Sequence, residues 1–141
     1  MRERRTRRAL GLDLLLADTI GASGGYRGDM STTHTHIHDL VAEAPVPARG
    51  IHSQTLSNEA GVELVLFAFA AGERLSEHTS ARPAIIHILS GEGDLTAEDD
   101  VYAAVPGTWL RMAADTRHSV LARTPLVMAL YLLSREAPAE P

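Results

Sequence analysis

The chain has 141 residues, a formal net charge of -5, and is 45% apolar and 22% charged, the balance of one globular domain with length enough for a real core. All 13 basic residues are arginine and there is no cysteine, which excludes lysine Schiff-base or general-base chemistry, disulfides, thiolate nucleophiles and thiolate metal sites. The acidic balance offers no global attraction to nucleic acid or anionic membranes, and no apolar run reaches the ~20 residues that span a bilayer.

Met1 to Arg8 holds five arginines and Ala9 to Ala17 is mostly apolar. This loosely imitates a secretory signal, but Asp13 falls in the middle of the short apolar stretch. Gly21 to Gly28 (GASGGYRG) reads as flexible linker. Residues 1–48 are therefore expected to form a flexible or extended N-terminal segment. Within it, 1–29 reads as a basic tail or as an extension upstream of a natural start at Met30, and the cytoplasm is the default compartment. The run THTHIHD follows Met30. His34, His36 and His38 share one face of an extended strand, a spacing that grips metal adventitiously. A short helical turn is allowed in Asp39 to Ala44, before the Pro-containing connector Ala44 to Gly50.

From Ile51 the pattern changes to short apolar or alternating runs separated by turn residues. Ile51 to Leu56 reads as a strand, followed by a turn over Ser57 to Gly61. Val62 to Phe69 (VELVLFAF) reads as a buried central strand, apolar on both faces. Further strands are expected at Ala84 to Ser90, Asp94 to Ala97, Val101 to Ala104, Thr108 to Met112, His118 to Arg123 and Leu126 to Leu133. About nine strands at roughly 8–12-residue spacing, with no long helix, predict an all-β sandwich or barrel over residues 49–134. Residues 135–141 read as a tail. Phe67, Phe69, Trp109 and Met112 are expected in the barrel lining or core, and His52 on a surface or interface.

Two stretches carry spaced glycines and histidines. Gly72 is followed after five residues by His78, and Gly91 closes the next strand; Gly107 opens a second run that reaches His118. The first resembles a cupin motif, with Ser80 where a second histidine would stand and Ala84 where a glutamate would. The second resembles the other cupin motif, with Ala113, Asp115 and Ala122 in place of Pro, Gly and Asn. Every spacing is kept without insertion, and LSEHT, AIIHILSGEG and RHSVLA look like small bacterial single-domain cupins with a reduced ligand set. The resemblance covers about Ile51 to Leu133. It implies a double-stranded β-helix, a jelly-roll barrel whose inward side chains hold Fe, Mn, Ni, Zn or Cu. It leaves the reaction open, because one fold hosts many chemistries.

Imidazole suits these transition metals. Strand alternation places His78 with Ser80 on one face, and His118 with Val120 and Ala122 on another. His78 and His118 are the expected ligands. His87 is the candidate third: alternation sets it opposite Ala84, Ile86 and Ile88, and a bulge after Pro83 would turn it inward. No serine sits in a G-x-S-x-G elbow, which argues against a hydrolase. The expectation is a metal-binding cupin acting on a small organic molecule by dioxygenase-type, isomerase or lyase chemistry, with its catalytic residues unassigned. The alternative is a non-catalytic binding or sensing cupin without metal. Strands apolar on both faces expose more surface than one barrel interior absorbs, which predicts a homodimer through the outer face.

Overall fold

The computed structural model describes residues 29–30 and 33–134; of the tails expected at 1–29 and 135–141, all but Asp29 lies outside the described residues. A short hairpin, β1 (Asp29–Met30) with β2 (Thr35–His36), comes first, then a single 3-10 turn at Val41–Glu43. Asp39 starts that turn: its Oδ1 accepts the amides of Val41 and Ala42 at 3.1 and 3.4 Å. From Ile51 the period-2 pattern becomes β3 (Ile51–Glu59), β4 (Val62–Phe69), β5 (Arg74–His78), β6 (Ala84–Ser90), β7 (Gly93–Ala97), β8 (Asp100–Ala104), β9 (Trp109–Met112), β10 (His118–Ala122) and β11 (Leu126–Leu133). All pairings are antiparallel. One sheet has the order β3-β4-β11-β6-β9, the other β5-β10-β7-β8.

Strand β11 is the centre of the larger sheet. It pairs with β4 from Leu126↔Phe69 to Leu133↔Val62 and with β6 along its other edge. Leu126, Met128, Leu130 and Leu132 point inward with Phe67, Phe69, Ile86 and Ile88, the core between the sheets. The alternate residues Val127 and Ala129 meet Leu64, Leu66 and Ala68 on the outer face, where Ile37, Leu40 and Ala44 of the N-terminal connector cover them. Burial on both faces explains why LVMALYLL is continuously apolar.

Two expectations are corrected. Strand β3 runs on to Glu59, through most of the expected turn, and the reversal is made by Ala60 and Gly61 alone, at φ 56° and 80°. Consecutive positive φ values match the strand twist in a two-residue hairpin, so no longer loop is needed. Trp109 is not core: it is 58% exposed and lies beside His87 on the outer face of the sheet. Phe67, Phe69 and Met112 are buried as expected. Gly91 is required where it stands. Its φ is +89°, and an added Cβ would lie 2.0 Å from the Pro125 carbonyl oxygen.

An ion pair between a buried carboxylate and a partly exposed guanidinium closes one end of the barrel. Glu63 on β4 is 1% exposed, and Arg82, from the loop between β5 and β6, reaches it at 2.8 Å. Arg82 also donates from Nε to the Leu133 carbonyl at 3.1 Å and from Nη2 to that of Leu132 at 3.0 Å. The planar guanidinium thus ties the loop to the ends of two strands. Arg82→Ala strands a buried carboxylate and should cost about 3 kcal/mol in urea unfolding. The paired replacement Glu63→Leu/Arg82→Met should recover most of that loss.

Candidate functional site

His78 ends β5 and His118 begins β10, and the two are direct cross-strand partners. Strict alternation would not put His78 inside, because Leu75 already points into the core. The register supplies the correction. His118 pairs with His78 and Val120 with Leu75, so Ser76 and Glu77 together oppose Ser119 alone. That bulge turns His78 inward and leaves Glu77 exposed. Along β10, His118, Val120 and Ala122 are buried on one face, as alternation predicts.

The two rings lie 4.2 Å apart, centroid to centroid, at 64° to each other. Each Nδ1 faces a main-chain carbonyl two residues earlier: Ser76 at 2.5 Å for His78, Thr116 at 2.9 Å for His118. A carbonyl only accepts, so each Nδ1 carries the proton and each Nε2 the lone pair. The Nε2 of His78 is buried and has no hydrogen-bond partner. Burial holds the His78 imidazole well below its ordinary 6.5, at about 4, reinforced by the neighbouring His118 and opposed by the Ser76 bond. Burial also lowers His118, against the bond to Thr116. These are neutral imidazoles with a lone pair to offer, the form in which histidine binds metal.

His87 is corrected. Ala84, Ile86 and Ile88 are buried in the inner core, while His87 lies on the other face, with Ala129 and Trp109 as its cross-strand neighbours. The irregularity in β6 falls between Ile88 and Ser90, beyond His87, so no bulge turns it inward. Among the described residues no group of three or more His, Cys, Asp or Glu side chains is placed to hold a metal. Ser80 is occupied in the loop: its Oγ accepts the Arg82 amide at 3.1 Å, and its carbonyl accepts the Asp115 amide at 2.7 Å. Asp115 has φ 65°, a left-handed residue where the motif places glycine. Aspartate is one of the few other residues that tolerate this. His36 and His38 form an edge-on contact at 6.3 Å in the N-terminal segment, and His52 is exposed on β3.

Sequence reasoning missed the Glu63–Arg82 pair. Register places Glu63, Leu132, Ala84 and Met112 in one transverse row. The carboxylate of this row therefore stands two strands from Ala84, the position of the motif glutamate. The single charged residue inside VELVLFAF was the available signal.

No protein-family model matches the sequence, and no curated protein does; the likeness is to solved structures. A conserved protein of unknown function from Streptococcus pyogenes matches with TM-score 0.66 at 25% identity, over 80% of this chain and 97% of that one. A cupin-superfamily protein from Desulfitobacterium hafniense matches with TM-score 0.63 at 26% identity, over 67% and 87%. An RmlC-like cupin from Desulfovibrio desulfuricans matches with TM-score 0.64 at 24% identity, over 71% and 97%, a likeness of fold. Two antiparallel sheets closed into a barrel around an inward histidine pair define the class. The fold is that of the cupin superfamily, shared with these solved structures.

The depressed imidazoles set an acid limit on the metal-free fold. Between about 4, where folding holds His78, and the ordinary 6.5, the unfolded chain binds more protons than the folded one. Stability is then fully present above pH ~6.5 and is lost as the pH falls, by at most ~1.4 kcal/mol per pH unit for each such histidine. Urea titrations of chelator-treated protein should show this slope, and His78→Gln should flatten it.

Proposed function

We propose that the chain is a small metal-binding cupin in which His78 and His118 hold one divalent transition metal, serving a small organic ligand or substrate. One observation carries this reading: two opposed imidazoles, each tied through Nδ1 to the main chain, with the buried Nε2 of His78 left without a partner. An unpaired buried acceptor is costly unless something fills it. A bound Fe, Mn, Ni, Zn or Cu ion would supply Lewis acidity and open coordination positions for a ligand. The histidines would present and orient the nitrogens. Four-ligand structural zinc sites gain ~10–16 kcal/mol, so a pair should bind much more weakly. Among reactions, an Fe(II) dioxygenase-type oxidation leads over isomerase or lyase chemistry.

The second reading, a binding or sensing cupin without metal, draws on a separate observation. Ala84 and Ser80 occupy ligand positions of the motif, and no third metal-binding side chain joins the pair among the described residues. Calorimetric titration decides between the two, using full-length protein with His34, His36 and His38 replaced by alanine. We expect one ion per chain, loss of binding in His78→Ala or His118→Ala, and retention in His87→Ala. If all five metals fail to bind near neutral pH, the metal-free reading stands.

The same proposal includes a homodimer. Residues 37–44 cover the β3-β4-β11 half of the outer sheet face, whereas β6 and β9 carry Ile85, His87, Leu89 and the exposed Trp109 on theirs. An aromatic beside aliphatic side chains suits the centre of an interface. Light scattering at micromolar concentration should give twice the chain mass, and Trp109→Arg should halve it.

A further inference from the structure

The connector ahead of β3 overhangs a half-open pocket of about 270 Å³ on the outer face of the larger sheet, on the opposite side of that sheet from the histidine pair. Its floor is Leu66 and Ala68 of β4, and its walls include Ala44 and Pro45. The local sequence builds it. Pro45 and Pro47 keep the connector extended and prevent the turn at Val41–Glu43 from continuing as helix. Ala42 and Ala44 are too small to fill the space beneath. The arch is pinned at both ends: the Gln54 side-chain amide donates to the Glu43 carbonyl, and the Gly50 amide donates to the buried Glu73 carboxylate at 3.1 Å. The Ala70 amide donates to the Gly50 carbonyl at 3.0 Å. The space is therefore preformed, as small-molecule pockets usually are.

Size and charge together choose the occupant. An apolar cavity of about 150 Å³ admits benzene, so this one has room for a single ring and a short substituent. Its floor is apolar, while His52, Ser53, Gln54 and Glu43 contribute the polar groups. Glu43 is the one carboxylate among the described lining residues, with no arginine beside it there. Gln54 spends one amide N–H on the connector and keeps its oxygen as an acceptor. We propose that this cavity is a second ligand site, separate from the barrel, for a small monocyclic amine whose ring rests on Leu66 and Ala68 and whose ammonium group pairs with Glu43.

The test is a ¹H–¹⁵N NMR titration of the full chain with benzylamine, benzyl alcohol and benzoate. Benzylamine should move the amides of residues 42–44 and 52–54. It should bind about tenfold tighter than benzyl alcohol, the worth of one charge-assisted hydrogen bond, and benzoate should bind weakest. Glu43→Gln should bring benzylamine down to the level of the alcohol. Ala42→Phe, at an exposed lining position, should block both without disturbing the core. The proposal is overturned if no probe shifts these amides at millimolar concentration. It also fails if the shifts map to the barrel end around His78 and His118, or if Glu43→Gln leaves the preference for benzylamine intact.

Discussion

Leu75 and His78 both face the barrel interior only because Ser76 and Glu77 share one opposing residue, Ser119. Without that extra residue, β5 would either turn Leu75 out of the core or turn His78 toward solvent, since a shift of one residue exchanges the faces of a strand. Fully burying a leucine is worth roughly 1.5–3 kcal/mol, so the apolar demand alone would win and the histidine would be lost. The bulge meets both demands. It also brings His78 against His118 across a strand pair, which sets the 4.2 Å ring separation. The candidate site thus rests on a local irregularity in an otherwise regular ladder.

The neighbouring loop has a comparable dependence. Residues 79–83 connect the smaller sheet to the larger one and could not pack as apolar core, because they carry Ser80 and Arg82. Their position is fixed by hydrogen bonding: the Asp115 amide to the Ser80 carbonyl, and the Arg82 guanidinium to Glu63 and to the carbonyls of Leu132 and Leu133. A buried charge pair adds little net stability compared with apolar packing of the same volume, but it tolerates no missing partner. Its consequence is positional. It holds the loop that follows His78 against the strand ends, so the end of the barrel carrying the histidines is also the end closed by directional contacts.

Much of this was legible in the sequence, and the failures have physical causes. Turn residues and period-2 runs locate the strands of the barrel because each strand buries one face or both. The motif glycines mark tight turns, as Gly91 shows by its close approach to Pro125. The inward direction of His118 follows from alternation alone. That of His78 does not, because pairing register is a property of two strands and a bulge has no signature in one. Trp109 was misplaced for a related reason: an edge strand of four residues carries too little pattern to show which face is covered. The Glu63–Arg82 pair joins residues 19 apart, and only the barrel closure brings them together.

The reduced histidine set bears on how the site can be used. Ala84 lies in the inner row where a motif carboxylate would stand, yet the row is not without charge, since Glu63 lies two strands along it and is neutralised by Arg82. A metal held by two neutral imidazoles keeps its full double positive charge, whereas a carboxylate ligand would offset part of it. Such an ion draws anionic oxygen ligands more strongly and holds its own place less firmly, so metal and ligand should favour each other's binding. That coupling is reciprocal by thermodynamic necessity. Under the metal-binding proposal, an ion on this pair would therefore be held more firmly in the presence of an anionic oxygen ligand than alone.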